Sequence, residues 1–307
     1  MIVGCQTQIS EVHYSGYTID KIYACGSLVY EATPSPSAIA IPYTASTKLN
    51  VDLTKFTPTA TAETFNNGYG RIEFSSDVIE IGAMAFDDKT SLISIKIPDS
   101  TSVIKNDAFG WCVNLENCNI GSGVTTIERG AFFKCSKISG ITLPNSVTII
   151  EDNVFRDCVS LNNFNIPSGV TIINEGVFRG CSSLSSITMH NNISSIGNYA
   201  FYKCNNLTSV TIPDTVTSIG QYAFQNCSGL TSITIPSGVT SIGDYAFERC
   251  SGLTSITCLS TTPPTIGNGT FGYTNDCPIY VPVESVNTYK SASKWSIYYA
   301  NRIQPIT

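Results

Sequence analysis

Charge is scarce in this chain: Asp, Glu, Lys and Arg together make up 13% of its 307 residues, about half the share usual in soluble domains. With 23 acidic and 17 basic side chains the net charge is −6 and the pI is near 4.9. That balance excludes a generic nucleic-acid binder, which needs a basic patch. No run approaches the 18 or so apolar residues of a membrane-spanning helix. Met1 to Asp20 shows neither a basic start nor an apolar stretch of secretory-signal length, so no signal peptide is visible. There are only two histidines, His13 and His190, and neither neighbours a nucleophile motif. A Ser-His-Asp or Cys-His constellation therefore has no support. Phosphate-cradling glycine loops and recurring paired acids are also missing. The expectation is a chain that is not an enzyme and carries no cofactor and no metal.

What is present is a repeat. Phe86, Phe109, Phe132, Phe155, Phe178, Phe201, Phe224 and Phe247 follow one another at intervals of 23 residues without a gap. Each is preceded by Ala or Val. Three residues later, from the second unit onward, stands Cys112, Cys135, Cys158, Cys181, Cys204, Cys227 or Cys250, and six residues later Leu or Ile, from Leu92 to Leu253. Apolar residues at −1, 0, +3 and +6 predict a short helix with one apolar stripe. The period then changes to two, as in Ile141 and Leu143, Ile187 and Met189, Val210 and Ile212, or Ile233 and Ile235, which predicts a short strand. Pro98, Pro144, Pro167, Pro213 and Pro236 end it, since proline has no N–H to give a ladder.

One unit has too little apolar surface to fold alone, so neighbours must stack and seal a continuous core. The expected architecture is an α/β repeat solenoid: a curved array with a parallel sheet on its concave face and helices on the wider outer side. The order Leu207, Val210, Ile212 resembles the opening of the leucine-rich repeat consensus. The unit with Ala-Phe, Cys and Leu-Thr-Ser-Ile-Thr-Ile-Pro is similar to the BspA-like leucine-rich repeat over roughly residues 70–259. That family is common in gut-associated bacteria, some protozoan parasites and phages of such bacteria. The chain departs from the general consensus in having no Asn ladder after the strand, where Thr215 and Gly238 stand instead, so the turn must satisfy its hydrogen bonds by other means.

The ends differ from the array. Phe271 arrives after 24 residues, with Pro263, Pro264 and Gly267 interrupting the pattern. Cys277 to Pro282 reads as a last strand and Glu284 to Arg302 as one helix, whose Val286, Tyr289, Trp295, Tyr298 and Tyr299 suit a C-terminal helical cap. This segment is similar to the end of many Bacteroides-type members. At the other end Ile22–Ala24 and Leu28–Tyr30 predict a hairpin, and Ala32 to Thr47 reads as a linker or extended arm. The hairpin resembles attachment segments of phage tail and fibre proteins. The expected division is a small β-rich attachment segment over 1–65, repeats over 66–259 and a capping region over 260–307.

One cysteine per unit, rather than paired Cys-x-x-Cys knuckles, predicts buried reduced thiols. Cys258 with Cys277, and Cys5 with Cys25, are the pairs to test for bonding. The outward strand positions carry neutral polar residues: Asn117, Asn119, Thr142, Asn163, Asn165, Ser186, Thr188, Ser209, Thr211, Ser232, Thr234, Ser255 and Thr257. They are either a hydrogen-bonding face for a protein or glycan, of which Asn163 to Thr257 form the candidate ligand-binding set, or residues that simply suit exposed strands. Tyr199, Tyr222 and Tyr245 form a row on the other side, as packing or as an interface. The first functional expectation is a non-catalytic recognition or adhesion module at the cell surface, binding a protein or glycan of a host or bacterial surface. The alternatives are a structural phage virion component attached to its carrier through residues 1–65, and an intracellular scaffold. Neither a nucleic acid partner nor a membrane span is expected.

Overall fold

The computed structural model describes residues 8–9, 21–24, 27–31 and 39–306. Its organising feature is a column of phenylalanines. From Phe86 to Phe271 successive rings stack at centroid distances of 4.9–5.9 Å and interplanar angles of 3–17°. The column ends edge-on at both extremes, against Phe56 at 75° and against Tyr299 at 72°. The solenoid rises by one ring per 23-residue coil, and every ring in the column is buried.

The segment around each Phe departs from the helix its spacing predicts. In the first coil Ala85, Asp87 and Lys89 donate their backbone N–H to Gly82, Met84 and Phe86, three residues back, whereas Met84, Phe86 and Asp88 donate to Asn106, Ala108 and Gly110 of the next coil. Every second N–H thus leaves the segment, where an α-helix would keep all of them. The residues two before and two after every Phe have positive φ, beginning with Met84 at 56° and Asp88 at 57°. Left-handed residues at that frequency make a run of tight turns. Among the described residues the only α-helices are Val286–Ser291 and Trp295–Tyr298.

Parallel strands run up the solenoid in two places. Two-residue strands, from Glu80–Ile81 to Ile149–Ile150 and from Ile172–Ile173 to Thr265–Ile266, pair coil to coil in register. The break between these two ladders lies at the one place where a side chain replaces the backbone donor: Asn174 Nδ2 donates to Ile150 O at 2.7 Å. Elsewhere the backbone N–H of the matching residue does so, as from Glu151 to Ile127 and Gly197 to Ile173. The second set is the sheet expected from the period of two. Leu92–Lys96 pairs with Asn117–Asn119, Asn163–Asn165 with Ser186–Thr188, and Ser232–Ile235 with Ser255–Cys258, which pairs in turn with Ile279–Val281. The turn after these strands, which lacks an Asn ladder, uses hydroxyls: Ser146 Oγ and Thr215 Oγ1 each donate at 2.7 Å to the carbonyl of Val124 or Ile193 in the coil before.

Both ends of the core are sealed. Ile39–Ala45, within the segment read as a linker, is a strand paired antiparallel with Tyr69–Phe74 and with Leu92–Lys96, and Ala62–Asn66 completes the meander. Ile41, Tyr43 and Ala45 are buried on its inner side. The predicted hairpin is formed by Lys21–Ala24 and Ser27–Glu31, with Gln8–Ile9 pairing alongside as a third strand. At the C-terminus the helical cap is broken by Lys294, at φ 62°, and the chain returns as the strand Ile303–Pro305, parallel to Ile279–Val281. Three buried polar groups tie this cap to the last coils: Trp295 Nε1 donates to Pro264 O, Tyr289 OH to Ser260 O, and Phe271 N–H to Tyr299 OH, at 2.8–2.9 Å.

Candidate functional site

Strand alternation places the candidate residues together as expected of their period. Asn163 lies opposite Ser186 and Asn165 opposite Thr188; Ser232 lies opposite Ser255 and Thr234 opposite Thr257. Asn163, Asn165, Ser186, Thr188, Ser209, Thr211, Ser232 and Thr234 are exposed, and Ser255 and Thr257 are half-buried. Part of their hydrogen-bonding capacity is already used sideways, since Ser186 Oγ donates to Asn163 Oδ1 at 2.6 Å.

Ser209 and Thr211 are in a different situation. On this face their coil forms no strand, and no backbone hydrogen bond among the described residues joins Ser209, Val210 or Thr211 to a neighbouring coil. The sheet opens there into a shallow groove of about 420 Å³ lined by Ser209, Thr211, Asp214, Ser232, Thr234 and Leu259. Exposed hydroxyls and unused backbone groups share one wall, so this interval can complement an extended chain or a polar ligand.

The thiols have a structural task. Cys112 Sγ donates to Phe86 O at 3.0 Å, and the same bond recurs in every coil to Cys250 with Phe224 O. Burial pushes Cys112 and Cys250 up to about 12 and holds the thiols between them well above their ordinary range. Cys258 and Cys277 are both free and buried. The Cys5–Cys25 pair and His13 lie outside the described residues. His190 is half-buried with Nε2 at 2.8 Å from Pro167 O, while its Nδ1 accepts from Asn192 N–H at 3.2 Å, a turn-stabilising arrangement.

The turn edge holds the expected tyrosine row and, beside it, residues that the strand-centred reading passed over. Tyr199, Tyr222 and Tyr245 stack at 4.8 and 5.2 Å. Beyond them a second open groove, of about 480 Å³, is lined by Lys203, Asn205, Asn226, Ser228, Arg249, Ser251 and Tyr273. The signal for it was periodic but chemically mixed: Lys203, Asn226, Arg249 and Tyr273 all stand two residues after a core Phe, at left-handed φ of 55–62°.

With coil geometry and strand face in place, comparison with known proteins decides the family. A model of the BspA type leucine rich repeat region, in six copies, matches residues 62–185 and 171–293. The chain belongs to that family. No curated protein sequence matches it. Among solved structures, a leucine rich cell surface protein of Faecalibacterium prausnitzii is 28% identical, with a TM-score of 0.51 over 72% of this chain and 67% of the other. A leucine-rich repeat protein from Bacteroides ovatus is 18% identical, with a TM-score of 0.49 over 100% of this chain and 99% of the other. The pneumococcal vaccine antigen PcpA is 18% identical, with a TM-score of 0.45 over 75% and 70%. As a BspA-type array the chain is a stack of interlocked coils with extended exposed faces. No helix among its described residues is long and apolar enough to cross a membrane.

Proposed function

We propose that the chain is a non-catalytic adhesion module whose strand face binds a protein partner at a cell surface. The observation that carries this is the interval at Ser209–Thr211. It sets exposed hydroxyls beside backbone groups that pair with no neighbouring coil among the described residues, and unpaired backbone beside alternating side chains is the recognition surface an extended polypeptide needs. A glycan fits this face less well, because the groove has no aromatic lining residue to set against a sugar ring. The surface location draws support from the F. prausnitzii relative, which is described as a cell surface protein. The virion alternative gains no support from that relative.

The test is adhesion of beads carrying the whole chain to an epithelial cell layer, before and after protease treatment of the layer. Beads should adhere, protease should remove the binding sites, and the variant with Ser209, Thr211, Ser232 and Thr234 all changed to Arg should lose at least ten-fold in adhesion at unchanged melting temperature. Wild-type beads that do not adhere, or a fourfold variant that adheres as well as wild type, would contradict the proposal.

A further inference from the structure

The turn edge carries a second surface with chemistry opposite to that of the chain as a whole. In a protein of net charge −6, consecutive coils place Lys134, Arg156, Arg179 and Lys203 along this edge, and Arg249 follows two coils later. Aromatic rings back each of them. Lys134 Nζ lies 3.5 Å from the centroid of Trp111, Arg156 Cζ 5.2 Å from Phe133, Arg179 Cζ 5.1 Å from Tyr199 and 5.2 Å from Tyr202, Lys203 Nζ 5.2 Å from Tyr202, and Arg249 Cζ 5.7 Å from Tyr273. A ring face orients a cation without neutralising it.

The groove at the end of this row is where the cations are least compensated. The side chains of Lys203 and Arg249 have no hydrogen-bond or ion-pair partner among the described residues, and both are exposed. Three acids near the groove residues in sequence are engaged elsewhere, Asp244 by accepting from Asn268 N–H. Glu248 accepts from Gln225 Nε2, and Asp276 lies 3.9 Å from Arg302. Backbone bonds from Lys203 to Gln225, Asn226 to Glu248 and Arg249 to Gly272 hold the lining coils in register. The steps from Lys203 to Tyr273 are therefore coil steps of about 5 Å each, so the groove runs for roughly 15 Å. Tyr273, 74% exposed, stands at its far end, and Asn226, Ser228 and Ser251 lie between.

We infer that this groove binds a carboxylate-bearing oligosaccharide, with Arg249 and Lys203 receiving the carboxylate, the Tyr273 ring lying against a sugar face and the Asn and Ser side chains bonding its hydroxyls. Each lining group answers one chemical feature of that ligand. The guanidinium fork of Arg249 matches a carboxylate in two parallel hydrogen bonds, and an exposed tyrosine supplies the apolar plane that a charged peptide would leave unused. A neutral sugar would leave both cations without a counter-charge. The site is independent of the strand face and of the proposal made for it.

Titration of the whole chain with sialyllactose and with trigalacturonic acid, followed by isothermal calorimetry, tests the inference, with lactose and a polyglutamate peptide as controls. At least one acidic sugar should bind, weakening as salt is raised, and lactose should bind at least ten-fold more weakly. Arg249→Asn and Lys203→Asn should each reduce the affinity at least five-fold. Asparagine is at home in the left-handed conformation of these positions, as Asn226 shows, so both variants should keep the wild-type melting temperature. Tyr273→Asn should weaken the sugars and leave any polyglutamate binding unchanged. The inference is overturned if neither acidic sugar binds, if lactose binds as well as they do, if polyglutamate binds more tightly than the sugars, or if folded R249N and K203N retain full affinity. The strand-face arginine variant should bind the sugars normally, which separates failure of this site from failure of the other.

Discussion

The core phenylalanine is the residue on which each coil depends. Each ring inside the column touches one above and one below, so removal of Phe155 opens a void between Phe132 and Phe178 and also withdraws the ring from Phe164, 5.1 Å away. Phe155→Ala should cost about 3–5 kcal/mol, measured by urea unfolding. The cysteines make a different prediction. Their buried thiols stay protonated in the folded chain, because burial raises their pKa, whereas in the unfolded chain they ionise above about pH 8.5. The folded state then binds more protons than the unfolded one, so stability falls as pH rises from that value, by up to about 1.4 kcal/mol per pH unit for each thiol. Unfolding in reducing buffer between about pH 8.5 and pH 9.5 should show this decline, and Cys204→Ala with Cys227→Ala should make it shallower by the share of two thiols. A pH-independent midpoint would contradict the thiol ladder.

Elements in this protein are defined between coils more than within them, and that governs how far the sequence could be read. The Phe, Cys and Leu columns were legible because one buried environment recurs every 23 residues and admits few side chains. The turns around Phe imitated a helix because −1, 0, +3 and +6 suit either structure. What separates the two is positive φ at positions filled by Trp111, Lys134, Tyr199 and Arg249, which do not announce a left-handed backbone as Gly or Asn would. The meander at the start of the array was illegible for another reason. Ile39–Ala45 contains Pro42 and earns its place only by pairing with strands some 30 and 50 residues onward, contacts that no local pattern encodes. Its packing can be checked at Gly70, where an added Cβ would fall inside the Tyr43 ring. Gly70→Ala should lower the melting temperature by several degrees, whereas Ser237→Ala, on an exposed turn, should leave it within about a degree, as surface substitutions usually do.

At the scale of the whole molecule, stacking explains both stability and display. Each coil is sealed by its neighbours, the ends are sealed by the meander and the C-terminal cap, and the remaining surface is long and regular. Of the candidate binding face, the outward Asn, Ser and Thr rows were readable from strand alternation, but the opening at Ser209–Thr211 was not, since that coil carries the same Ser-x-Thr pattern as its paired neighbours. The cationic groove was equally hidden, as its side chains meet only when coils two and three repeats apart are stacked. A stack of equivalent coils predicts that one complete unit can be removed while the rest closes over the gap, and the proposed face predicts which unit matters. The most direct measurement compares two 23-residue excisions, of residues 117–139 and of residues 209–231, for cooperative unfolding and for adhesion of coated beads to an epithelial layer. Both shortened chains should unfold in a single sharp transition, the first should adhere like the parent, and the second should lose adhesion. Excisions that fail to fold, or a chain without residues 209–231 that adheres as the parent does, would contradict the account.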